Sequence, residues 1–176
     1  MQTLVRGWLP LVAAFSLAAC VSRPTEESRE ARARYEYNRI ARELVMPAAA
    51  ATNELERALL WKHAERGYES IQQKYPDAQP WAAMSLRSLG NLYREQGAFA
   101  EALAAYTKVG TLYPEQDWEV AQAWKAAGDL LWERGLRPEA APYYRNLLVR
   151  FDKPGYHPMF ETLVLIARSR LAELTP

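Results

Sequence analysis

Cysteine is almost absent. Cys20 is the only one, so no disulfide can form within the chain. Neither sign of charge is in excess: 22 Lys and Arg face 21 Asp and Glu, for a net charge of +1. That balance gives no bulk attraction to nucleic acid or acidic substrates. The two histidines, His63 and His157, stand 94 residues apart, and His63, beside Trp61 and Lys62 on a helix, reads as a surface or half-buried side chain rather than a ligand. The chain has no GxSxG, no phosphate-binding glycine loop, no HExxH and no paired-cysteine motif. Sequence therefore nominates no catalytic residue, no metal site and no cofactor, and the expectation is a protein that is not an enzyme. Compositional disorder is excluded as well, because 49% of the residues are hydrophobic. Only eight glycines punctuate the 176 residues.

What is present is organised around Leu86 to Pro114. Leu86, Leu89, Gly90 and Tyr93 fall on one face of a helix. Gly97 ends that helix, since glycine enters a left-handed turn without a side-chain clash. A second apolar face follows at Phe99, Ala102, Tyr106 and Val109, and Tyr113-Pro114 closes it. Two helices and a tight turn make a hairpin whose apolar stripes need neighbours.

This order of residue types resembles a tetratricopeptide repeat: Leu86, the Leu89-Gly90 pair, Tyr93, Ala102, Tyr106 and Pro114 match its pattern and fit its 34-residue unit. The same series recurs. Ala64, Tyr68, Ile71 and Tyr75-Pro76 lie 38 residues before Ala102, Tyr106, Val109 and Tyr113-Pro114. Gly128, Leu131, Ala140 and Tyr144 lie 38 after Gly90, Tyr93, Ala102 and Tyr106. Trp124 takes the slot of Leu86, and Gly135 again makes the turn. Pro138 suits a first helical turn, whereas Pro142 should shorten or bend its helix. Tyr37, Ile40, Ala41 and Leu44 repeat the spacing of Leu86, Leu89, Gly90 and Tyr93. Between Leu44 and Ala64, eleven residues more stand than between Tyr93 and Ala102. The second helix of that hairpin is expected to start near Pro47 or Thr52 and to project past its partner.

The fold expected is all-α: a tetratricopeptide-like solenoid of antiparallel helix hairpins. It would have about seven helices, in three repeats (about 26–76, 80–114 and 117–151) and a capping helix (about 157–174). Val164, Ala167 and Leu171 continue the pattern there. Arg168 replaces the small residue, as a last helix with nothing beyond it permits. The family resemblance implies a right-handed arc.

The amino-terminal stretch has a different character. Residues 1–19 carry one charge, Arg6, then an apolar run, then Leu17-Ala18-Ala19 before Cys20. This reads as a secretory signal peptide. Leu17 to Cys20 resembles a bacterial lipobox, which implies cleavage before Cys20, lipid on its thiol and a mature chain starting there, with residues 20–25 as a tether. The alternative is an uncleaved amino-terminal anchor with Cys20 incidental; the run is short for a span of about 20 residues. Val21 after the cysteine favours the outer membrane by resemblance to enterobacterial lipoproteins, with the inner membrane as the other site. Thr25 or Ser22 can cap a first helix running to about Val45. Its mixed charges include i,i+4 pairs Glu30–Arg34, Arg32–Glu36 and Arg39–Glu43, and read as a solvated face.

The resemblance places the binding groove on the first helices, between core positions. Here those are Met84, Arg87, Asn91 and Arg94, then Gln122, Lys125, Asp129 and Trp132. In some family members a basic residue and an asparagine at this spacing hold a peptide carboxylate. Ala126 and Asp129 depart from that pattern, so the expectation is a groove of mixed charge for an extended or helical segment; an ordinary solvated wall is the other reading. Trp81 and Trp118 should plug seams between repeats, and Trp124 should be core. The functional expectation is a lipid-anchored periplasmic scaffold that binds other envelope proteins. The architecture is similar to the helical-repeat lipoprotein of the outer-membrane β-barrel assembly machine, to pilus-assembly lipoproteins and to adaptors of peptidoglycan enzymes. A small-ligand or peptide module is the reading from another class. Nucleic acid is not an expected partner.

Overall fold

The computed structural model describes residues 25–174, and the expected leader and lipid-bearing Cys20 lie outside them. The protein is all-helical, with no strand among the described residues. The chain opens with α1 (Glu26–Ile40), capped by the Thr25 hydroxyl, which accepts from the Ser28 amide. It continues without a break through a π-helical turn (Ala41–Val45) into α2 (Met46–Ala50). The Met46 amide reaches back five residues to the Ala41 carbonyl. This wider turn immediately precedes Pro47, which has no N–H to donate and whose ring would meet the carbonyl of Glu43 in an ordinary α-turn. The chain then breaks at 51–53, and α3 (Glu54–Lys74) starts at Asn53, whose side chain accepts from the amides of Leu55 and Glu56.

The eleven extra residues are thus divided between both helices of the first hairpin. Pro47 does not begin the second helix; it prolongs the first. Nor does α3 project alone, because α2 packs along its start. Of the three expected charge pairs, Arg39–Glu43 forms at 3.6 Å. Glu36 turns instead to the Tyr75 hydroxyl and Lys74 of α3.

The second and third hairpins are α4 (Gln79–Glu95) with α5 (Phe99–Leu112), and α6 (Asp117–Glu133) with α7 (Arg137–Phe151). Their turns are built alike. Gly97 has φ 71° and Gly135 has φ 76°. The Ala98 amide bonds the Tyr93 carbonyl at 2.9 Å, and the Leu136 amide bonds the Leu131 carbonyl at 3.0 Å. This is the glycine-terminated end in which the amide two residues past the helix closes on its last turn. The Tyr-Pro ends are alike too: Tyr75 and Tyr113 adopt φ, ψ of −128°, 52° and −130°, 54°. Pro142 does not shorten α7, which runs through it from Arg137. It lies near enough to the amino end that one first-turn carbonyl, that of Pro138, loses its partner, and that turn is exposed. A 3-10 turn (Pro158–Phe160) leads into α8 (Glu161–Ala172), so the last helix starts a few residues later than expected.

Adjacent elements pack in sequence, each helix against the next. The expected apolar faces are the buried ones. Ile40, Ala64, Tyr68 and Ile71 form one core with Leu89 and Leu92. Leu86, Ala102, Tyr106, Val109, Ala127, Leu131, Ala140, Tyr144, Val164 and Ala167 form the other. Tyr93 packs against both. Two contacts fix the spacing between helices. A Cβ on Gly90 would lie 2.6 Å from the Tyr106 ring, and one on Gly128 would lie 2.8 Å from that of Tyr144. In the first hairpin the roles are exchanged: Ile40 of α1 presses on Gly67 of α3. Trp124 is half-buried, over Gly110 and beside Phe151. Trp81 meets Tyr37 across the first seam. Trp118 does not plug the next seam; it is 37% exposed and packs forward on Phe160. Arg168 is exposed and holds Asp152 at the end of α7.

Candidate functional site

The residues nominated for the groove lie on α4 and α6, and six of the eight, Arg87, Asn91, Arg94, Lys125, Asp129 and Trp132, have an intramolecular partner. Arg87 Nε donates to Glu119 Oε2 at 2.5 Å. Glu119 sits in the first turn of α6, only 4% exposed. Its carboxylate there gains from the helix amino terminus as well as from the guanidinium. Arg94 donates to Glu133 at 2.5 Å, a second tie between the same two helices. Lys125 turns along its own helix to Asp129. Asn91 and Asp129, 38 residues apart, play one role: each accepts from a buried tyrosine, Tyr106 or Tyr144, at 2.8 Å. Burial, before other influences, pushes the Tyr106 hydroxyl up to about 12 and that of Tyr144 further, with the Asp129 hydrogen bond adding to the second. Both hydroxyls are therefore donors at neutral pH. Trp132 stands edge-on to Tyr144 with the guanidinium groups of Arg137 and Arg170 over its ring at 4.9 and 4.8 Å.

These six side chains brace the wall before any ligand arrives. Arg87 is the clearest case, because a partner that engaged it would compete with a buried carboxylate. Sequence reasoning missed Glu119. Its signal was weak but present: it stands beside Val120, four residues before Ala123, on the buried side of α6.

An open space lies next to this wall. A cleft of about 590 Å³ is bounded by Tyr37, Ala41 and Val45 of α1 and the π turn, by Ala48 and Ala49 of α2, by Trp61 and Tyr68 of α3, and by Asn91 and Leu92 of α4. Its walls are mainly aromatic and aliphatic, with Arg57, Ser88 and Glu95 as further polar points. Arg57 donates to the Ala51 carbonyl at 2.6 Å, which ties the break between α2 and α3 to the cleft. Tyr37 and Ser88 share a hydrogen bond of 2.9 Å. Burial first, then the Tyr37 hydroxyl, holds the Tyr68 hydroxyl well above the usual phenol range. The cleft can take an apolar side chain or small ring system and offer it a few fixed hydrogen bonds. The inserted residues build its outer end: without α2, Ala48 and Ala49 would not be there.

His63 and His157 are both exposed, and the His157 ring nitrogen accepts from the Met159 amide at 3.2 Å, closing the 3-10 turn. Among the described residues, no group of three or more His, Cys, Asp or Glu could hold a metal, and no helix is long and apolar enough to cross a membrane. No family model, curated protein or solved structure matches the chain.

Proposed function

We propose that this protein is a tetratricopeptide-like scaffold that binds other proteins of a bacterial envelope. In this reading Cys20 carries the lipid, and the helices stand on the periplasmic face of the outer membrane. The service is assembly of outer-membrane proteins or pili, without catalysis. The supporting observation is the duplicated construction of the second and third hairpins. Glycine meets tyrosine in both, and the tyrosine hydroxyl is received by Asn91 or Asp129. A unit duplicated with its buried contacts intact is how a repeat array extends a surface. Anchoring would confine that surface near envelope partners and raise their effective concentration.

The test is affinity capture of the full chain with a carboxyl-terminal tag, from gently solubilised envelopes, beside Cys20→Ala. Barrel-assembly or pilus components should co-purify in stoichiometric amounts and be lost with Cys20→Ala. The chain itself should move from the outer-membrane to the soluble fraction in that variant. A peptidoglycan synthase or hydrolase in its place would make the protein an adaptor for that enzyme. Background alone from both chains would refute the scaffold. The aromatic cleft favours a second reading, as a small-ligand or peptide-binding module. That reading requires a ligand-dependent rise in melting temperature with no protein partner present.

A further inference from the structure

α4 carries a second open surface, on the face nearly opposite the cleft. A groove of about 590 Å³ runs between α3 and α5, floored by Leu86, Leu89 and Tyr93 of α4. Glu69, Gln72 and Gln73 form one bank, and Glu101, Ala105 and Lys108 belong to the other. The 38-residue spacing supplies its counterpart between α5 and α7. There Trp124 replaces Leu86 and lies over Gly110, which stands in the place of Gln72. Tyr143 replaces Ala105 and shares a hydrogen bond of 2.9 Å with Thr107, in the place of Glu69. The later junction is filled by two of the protein's own aromatic rings. The earlier one is open because its residues at those two positions are smaller.

Its rim is acidic at one end. Tyr93 donates to Glu65 at 2.9 Å, so Glu65 is engaged. Glu69 and Glu101 are exposed, and neither forms an ion pair among the described residues. Both carboxylates act on the Tyr93 hydroxyl, which is raised first by burial, then by Glu65, then by Glu69 and Glu101. Negative charge from both banks therefore converges at the edge of an apolar floor.

We propose that this groove receives a segment of a partner protein. The segment buries an aromatic side chain over Leu86 and Leu89, where Trp124 and Tyr143 supply rings in the next junction, and it sets a lysine or arginine against Glu69 and Glu101. The apolar ring gives the binding and the cation fixes its direction. This surface goes beyond the envelope reading and does not depend on the anchor, so it stands or falls separately from the capture experiment.

The probe is a capped, dye-labelled peptide, Lys-Ala-Ala-Trp-Ala-Ala-Lys, titrated onto the full chain in detergent and followed by anisotropy, with backbone amide shifts recorded in parallel. Saturable binding is expected, with shifts centred on Gln72, Gln73, Leu89 and Lys108. Replacing the tryptophan by alanine should weaken it at least about tenfold. Replacing both lysines by glutamate should weaken it about fivefold, and the lysine peptide should weaken as salt rises. Leu86→Trp with Gln72→Gly and Ala105→Tyr copies the filled junction, glycine under the new ring included, and should abolish binding while the chain stays folded. Should that variant fail to fold, Glu69→Lys with Glu101→Lys decides, since both sites are exposed: it should reverse the preference toward the glutamate peptide. No saturable binding, shifts centred on Trp61 in the cleft, equal binding of lysine and glutamate peptides, or binding that survives the filled variant would each overturn the proposal.

Discussion

Gly90→Ala is the substitution on which the packing argument is most exposed. Ala is the better helix former by about 1 kcal/mol, so an unconstrained mid-helix site would be stabilised. Here the new Cβ would lie 2.6 Å from Tyr106 Cε1 and 2.7 Å from Cδ1. Ordinary carbon contacts are near 3.5–4.0 Å, so the ring must withdraw by roughly 1 Å. Tyr106 is fully buried and its hydroxyl is held by Asn91, so the ring has little freedom to withdraw. Overpacking at the upper end of its range costs about 3 kcal/mol. Straining the Tyr106–Asn91 bond adds about 1 kcal/mol. Set against the helix gain, the net loss is about 3 kcal/mol, or a fall in melting temperature of roughly 6–12 °C for a domain of this size. Thermal melts of Gly90→Ala, Tyr106→Leu and the double variant would measure it. The double variant should be more stable than the sum of the two single losses by at least about 1 kcal/mol, because leucine vacates the space the new methyl needs. Gly97→Ala is the control: nothing lies within 4 Å of its Cβ, and its cost comes from φ 71° alone. A Gly90→Ala protein that melts at or above the parent, or strict additivity with Tyr106→Leu, would refute the reasoning.

Other consequences follow from single contacts. Glu119→Ala leaves the Arg87 guanidinium half-buried without its partner and should cost about 3 kcal/mol in chemical denaturation, against no more than about 1 kcal/mol for the exposed pair-breaking change Glu133→Ala. Pro142→Ala restores an amide donor to the Pro138 carbonyl at an exposed helical site and should raise the melting temperature by a few degrees, about 1 kcal/mol. Tyr68, Tyr93, Tyr106 and Tyr144 all have hydroxyls raised in the folded state, above the unfolded value near 10. Their contribution is complete below pH 10 and is lost as pH rises through the folded values, at no more than about 1.4 kcal/mol per pH unit for each. Denaturant midpoints should accordingly hold from neutral pH to about 10 and fall steeply above it, less steeply in Tyr106→Phe.

The helices and their buried faces were legible because the chain states them more than once. Leu89, Gly90 and Tyr106 can be read by chance in one hairpin; Ala127, Gly128 and Tyr144 at the same offset cannot. The first hairpin was harder to read because its insertion could be placed in either helix. Pro47 looks like a helix start by its ordinary preference for first turns. The structure instead widens one turn in front of it and keeps the helix going to Ala50. Propensity lost there to the packing of α2 on α3, a tertiary contact no local pattern announces. Trp118 misled for a related reason: like Trp81 it stands at the start of a first helix, but Phe160, 42 residues later, offers it a ring.

Binding surfaces were less legible than helices, and the cause is physical. A groove position was inferred from spacing, which tells where a side chain starts but not what it meets. Arg87 starts on the expected face and ends on Glu119, 32 residues away in sequence. Its charge, which made it look like a ligand-binding residue, is consumed in joining α4 to α6. Charge reversal at Arg87 would therefore set a carboxylate against a buried carboxylate, and any lost interaction would report misfolding before it reported binding. Open surface arises where the internal duplication is imperfect. α2 exists in one hairpin only, and it closes one end of the cleft. Leu86 and Ala105 stand where Trp124 and Tyr143 stand one unit later, and the groove between α3 and α5 is the space that difference leaves. In a duplicated helical chain, the repeated residues build the frame; the residues that fail to repeat are where a partner has room to enter.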